Sequence, residues 1–113
     1  MKRSNKLFIE DILDATTKIE KYTKDLSYED FVKNQMIIDA VVRNLEIIGE
    51  AARNIPKSIQ KKYKDVPWNR MIGLRNIVIH GYFGIDLSII WEIITKNLPE
   101  TKPSLLKILK EIN

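Results

Sequence analysis

Cysteine is absent from the chain, and histidine occurs once. The first lack excludes disulfides, thiolate catalysis and cysteine-ligated zinc, and it fits a reducing compartment. With a single imidazole and no dense carboxylate cluster, no intrinsic metal centre and no cofactor are expected. Glycine and proline number four each among 113 residues, too few for extended disorder in a chain that is 44% hydrophobic. No apolar run approaches the ~18–20 residues needed to span a bilayer. Met1-Lys2-Arg3-Ser4-Asn5-Lys6 passes straight into an amphipathic stretch containing acidic residues. No signal peptide is therefore read there, and a cytoplasmic location is expected.

What the chain does have is enough apolar material for one small core, so its length predicts one domain over residues 1–113. Its formal charge is +4. A mildly basic protein is compatible with RNA or another phosphate-bearing partner, and equally with a lysine-rich solvated surface.

Hydrophobic spacing of three and four residues predicts a helix from Leu7 to about Tyr22. Asp25-Leu26-Ser27 breaks it, and Ser27 with Asp30 has the pattern of a capping box that starts a second, long helix at Tyr28. That helix is expected to reach about Asn54. Its apolar face carries Ile37, Ile38, Val41, Leu45, Ile48 and Ala52, while Asp39, Arg43, Glu46 and Glu50 form a stripe on the other side. A solvated face laced with ion pairs is the ordinary reading of such a stripe. Pro56 suits the first turn of a short lysine-rich helix through about Tyr63. Its Lys57, Lys61, Lys62 and Lys64, with Lys33 and Arg53, are either a solvated face or a track for phosphates. Trp68 opens a fourth helix, and Asp86 is placed to cap a fifth running to Leu98. Pro99 and Pro103 are expected to punctuate, leaving a last short helix from Leu105 to Ile112. The fold class is all-α, an antiparallel bundle of four-helix type with additional short helices.

The chemistry-bearing residues concentrate in Arg75-Asn76-Ile77-Val78-Ile79-His80-Gly81-Tyr82. Asn76 and His80 are four apart and share a helix face, whereas Arg75 and His80 are separated by about 140°. Arg75 must reach round the helix, or a second chain must complete the site. A histidine with its ordinary pKa near ~6.5 exchanges protons at neutral pH, and arginine offers a planar fork to phosphate oxygens. Together they suit RNA cleavage without metal, with Asn76 orienting the imidazole and Tyr82 offering a hydroxyl or a stacking face. In-line cleavage benefits from a base and an acid, and one chain has one imidazole. A two-fold dimer, water, lysine or Tyr82 could supply the second group. Against this stands the plain alternative that a lone histidine at a helix C-terminus is a cap favoured by the helix dipole.

The segment R-N-x-x-x-H-x-Y, followed by Phe83-Gly84-Ile85-Asp86, resembles the signature of HepT-like proteins, a branch of the HEPN superfamily of small helical ribonucleases. Trp68 and Gly73 upstream, Asp86 and Trp91 downstream, and the block Arg43 to Ala52 extend the resemblance over nearly the whole chain. It implies a HEPN-like bundle and a homodimer with the motif at the subunit groove. Arg75 and His80 are then catalytic, supported by Asn76, with Glu46 and Glu50 approaching the cleft. It further implies a toxin of a two-gene pair, acting on RNA and silenced by an MntA-like minimal nucleotidyltransferase that transfers AMP to Tyr82. The alternative is a non-catalytic subunit of that nucleotidyltransferase, binding a nucleotide or substrate without turnover.

Overall fold

The computed structural model describes residues 3–80 and 86–112, and for 77–80 the backbone alone. Every regular element among them is helical. The first helix, α1 (Asn5–Thr23), is started by Ser4, whose hydroxyl accepts a hydrogen bond from the Leu7 N–H at 3.2 Å. It buries Ile9, Ile12, Leu13, Ala15, Thr16 and Ile19. The chain then turns through Asp25, which adopts a left-handed φ of 63°.

The predicted capping box forms. Asp30 N–H donates to the Ser27 hydroxyl at 3.1 Å, and the Asp30 carboxylate accepts from the Ser27 N–H at 3.3 Å. The helix it starts is short, however: α2 (Tyr28–Val32) ends at Lys33, and α3 (Gln35–Arg53) begins anew. The expected single helix from Tyr28 to Asn54 is thus two. Asn34 causes the division, since its backbone is extended and its side chain caps α3 by accepting from the Ile37 N–H at 3.0 Å. The kink lets Phe31 enter the core fully buried, its ring 5.1 Å from that of Trp91.

Pro56 precedes α4 (Lys57–Lys62), and the indole N–H of Trp68 donates to the Tyr63 carbonyl at 3.0 Å, closing the turn into α5 (Trp68–His80). Asp86 caps α6 (Leu87–Glu92), as expected, through the Ser88 N–H. A π-helical turn, Ile93–Asn97, follows and runs directly into α7 (Leu98–Glu111). The two prolines therefore do not punctuate. Pro99 directly follows the π turn and its cap residue Leu98, and Pro103 lies inside α7. Burial of Leu98, Thr101, Leu105 and Ile108 on one face holds the helix together across both.

Two pairings show the antiparallel order of the bundle. Phe8 and Asp11, early in α1, line one groove with Ala51 and Asn54, late in α3. Glu20, late in α1, meets Lys102, early in α7, at 2.8 Å. The all-α expectation holds. None of the described helices is long and apolar enough to cross a membrane.

Candidate active site

A close approach of α3 and α5 positions the arginine of the motif. Gly49 on α3 faces α5 so tightly that a Cβ added there would sit 2.9 Å from the Arg75 backbone nitrogen and 3.2 Å from both Arg75 Cβ and the Met71 carbonyl oxygen. Only glycine lets the two backbones come this near. The contact delivers the base of the Arg75 side chain to the edge of α3, next to Glu50. There Arg75 Nε lies 3.3 Å from Glu50 Oε2.

The polar stripe of α3 therefore divides. Asp39 accepts a hydrogen bond from the Gln35 side chain at 2.8 Å, as a solvated helix face would have it. Arg43 pairs with Glu46 at 3.4 Å, one turn along. Arg43, Glu46 and Glu50 also line a groove of about 460 Å³ together with Arg75 from α5, with Phe8 and Asp11 from the start of α1, and with Arg3 just ahead of it. Arg3 donates to both carboxylate oxygens of Asp11, at 2.8 and 3.0 Å.

Of the residues singled out from the sequence, Arg75, Glu46 and Glu50 thus share one groove. Asn76 is exposed on the next position of α5. His80 is the last residue of α5, and its backbone register puts it one turn beyond Asn76, about 140° from Arg75. The side chain of His80 and all of Tyr82 lie outside the described residues. Arg3, Phe8 and Asp11 were not foreseen, because Arg3 precedes the helix and the pair spans eight positions with no periodic signal.

The Arg75–Glu50 pair is open to water, its side chains 38% and 52% exposed. Such a pair contributes only ~0.2–1 kcal/mol. Glu50 orients the guanidinium without holding it fast, and phosphate oxygens, which match the guanidinium fork bidentately, compete well for it.

The model of the family described as Ribonuclease HepT-like matches residues 12–110. The chain belongs to this ribonuclease family. Among HepT-like relatives, "Putative RNase MJ1380" of Methanocaldococcus jannaschii is 48% identical over 101 residues, covering 89% of this chain and 93% of that one. "Probable ribonuclease HepT" of Thermococcus cleftensis is 39% identical over 97% of this chain and 100% of its own. "Gamma-glutamylcyclotransferase and putative RNase MJ0434" of M. jannaschii is 40% identical over the full chain, which spans 51% of that longer protein. No solved structure matches the chain. The HepT-like match includes Arg43, Glu46, Glu50 and the whole motif, whereas Arg3, Phe8 and Asp11 precede it.

Proposed function

We propose that this HepT-like protein is a metal-independent endoribonuclease and the toxin of a toxin–antitoxin pair. The observation that carries the reading is the family match together with the half-exposed guanidinium of Arg75, poised at a groove by a carboxylate that phosphate can replace. In the reaction, the 2′-hydroxyl of one ribose attacks the adjacent phosphorus. A base removes the 2′-proton, the P–O5′ bond breaks, and an acid returns a proton to the 5′-oxygen. The products are a 2′,3′-cyclic phosphate and a 5′-hydroxyl. His80 carries one of these proton transfers, Asn76 orients its imidazole, and Arg75 neutralises the charge that grows on the phosphoryl oxygens. The 140° between Arg75 and His80 on α5 favours a homodimer in which two motifs face one cleft, pairing the arginine of one subunit with the histidine of the other.

Silencing by an MntA-like nucleotidyltransferase follows the same chemistry. The Tyr82 phenol attacks the α-phosphorus of ATP and pyrophosphate leaves. The resulting adenylate, two residues from His80, places an anion where substrate phosphate would bind Arg75.

The test is cleavage of RNA by pure protein in EDTA. His80→Ala and Arg75→Gln are expected to lose at least ~10²-fold in kcat while keeping their helical circular dichroism. Cleavage that persists at the native rate in His80→Ala refutes the assignment. No cleavage by the native protein, with nucleotide still bound, moves the protein to the non-catalytic subunit reading.

A further inference from the structure

The groove beside Arg75 contains two more arginines than the reaction needs, and each is held like Arg75. Arg3 rests on Asp11, Arg43 on Glu46 and Arg75 on Glu50. Three elements contribute: the residue ahead of α1, the outer stripe of α3, and α5. The six charges cancel, so the groove carries no net charge of its own. An i,i+3 pair such as Arg43–Glu46 is ordinary on a helix surface. A bond from before α1 to its second turn, and another from α5 across to α3, are not products of helical spacing; they bring cations from separate parts of the chain to one place. The Arg3 guanidinium also lies 5.7 Å from the centre of the Phe8 ring, a second contact that keeps it over the groove.

We propose that Arg3 and Arg43 form an extended subsite for single-stranded RNA, binding phosphates that flank the one held by Arg75. Asp11 and Glu46 are the groups those phosphates displace. The inference rests on the ribonuclease reading above. Arg43 lies two turns, ~10.5 Å along α3, from Glu50, the partner of Arg75, so a strand that follows the groove from Arg75 meets Arg43 within one or two nucleotides. All three pairs are partly exposed, and exchanging a carboxylate for a phosphate oxygen is inexpensive at each. The carboxylates also discriminate. An isolated phosphate must displace one of them for a single contact, whereas a strand, once held at Arg75, meets the next arginines as intramolecular partners. The groove therefore selects a polynucleotide over a mononucleotide.

The sign of four substitutions decides the matter, read on a labelled oligouridylate longer than the groove. Arg3→Gln with Arg43→Gln is expected to raise KM roughly tenfold at ~0.15 M salt and to flatten the log–log salt dependence by about 1.4, or ~0.7 for each lost phosphate contact. Asp11→Asn with Glu46→Gln removes the competing carboxylates and is expected to lower KM several-fold. Lys107→Gln with Lys110→Gln, exposed on α7 and not among the residues that line the groove, removes the same charge and is expected to keep the native salt dependence. If the pairs served only to brace the helices, both groove variants would shift KM the same way and lower the melting temperature together; that outcome overturns the subsite. So does an unchanged KM in the arginine variant, with cleavage intact and the ribonuclease reading unharmed. A native protein that cuts no RNA removes both.

Discussion

Gly49 and Gly73 make a matched pair of perturbations for the α3–α5 contact. Neither has a positive φ, so alanine is conformationally admissible at both. In a helix each Gly→Ala exchange gains about 1 kcal/mol of propensity. At Gly73 the new methyl meets nothing within 4 Å, and Gly73→Ala is expected to stabilise by up to that amount. At Gly49 it meets the Arg75 backbone nitrogen at 2.9 Å, which cannot rotate away as a side chain end could. Forcing apart two packed helices costs about 1–3 kcal/mol. Because the propensity gain is common to both, the difference between the variants isolates this steric cost. Urea unfolding should place Gly49→Ala about 1–3 kcal/mol below Gly73→Ala, with equal m values; thermally, at about 4 °C per kcal/mol, the gap is roughly 4–12 °C. Arg75 would move with the displaced backbone, so RNA cleavage by Gly49→Ala should fall more than its stability loss explains. Equal stabilities for the two variants would show that α3 and α5 do not approach as described.

Ser27→Ala takes away the acceptor of the Asp30 N–H while the bond from the residue-27 N–H to the Asp30 carboxylate remains, so unfolding in urea should show a loss of about 0.5–2 kcal/mol. The Asp86 carboxyl is held below its ordinary value of 3.8, first by the Ser88 hydroxyl and then by the Ser88 N–H; desolvation opposes them, and the Ile89 N–H adds a smaller lowering. A lowered folded-state value means that the contribution is complete above the unfolded value and fades as pH falls through the folded one. Ser88→Ala should raise the Asp86 midpoint in an NMR titration and bring the acid limb of stability to higher pH; an unmoved midpoint would contradict the cap. On the silencing proposed above, Tyr82→Phe should keep RNA cleavage while losing transfer of label from α-labelled ATP by an MntA-like nucleotidyltransferase, and labelling of that variant would refute Tyr82 as the acceptor.

Legibility along this chain followed the range of the forces involved. The Ser27–Asp30 box and the Asp86 cap are contacts between residues two or three apart, and both could be read from spacing. Asn34 has the same chemistry, but it sits in an apolar periodicity that continues on either side, so the pattern pointed to one helix where the local cap makes two. Pro99 and Pro103 were misjudged for the opposite reason. Their local disfavour is real, yet the burial of Leu98, Leu105 and Ile108 outweighs it. The neighbourhood of Arg75 was half visible. Helical register gave the faces of Glu46, Glu50 and Arg75, but no periodicity says which faces meet. The hint was Gly49, a glycine within a long apolar helix where close approach is the usual explanation. For the α1 rim of the groove there was no hint, since Arg3 belongs to no helix and its position depends on how α1 crosses α3.

The wide turn at Ile93–Asn97 has a consequence for how this helix tolerates length changes. Its i→i+5 bonds, such as Leu98 N–H to the Ile93 carbonyl, accommodate one residue more than an α turn would in the same angular sweep. Excising one residue from this turn would leave Ile90 and Leu105 on their original sides, whereas the same excision elsewhere between 87 and 111 would swing everything downstream by about 100°. The obstacle is Pro99, whose ring would then press on the carbonyl four positions back. A shortened chain that also exchanges Pro99 for alanine should therefore fold with its hydrophobic stripe in register, making this turn the place where natural indels in the C-terminal arm should collect.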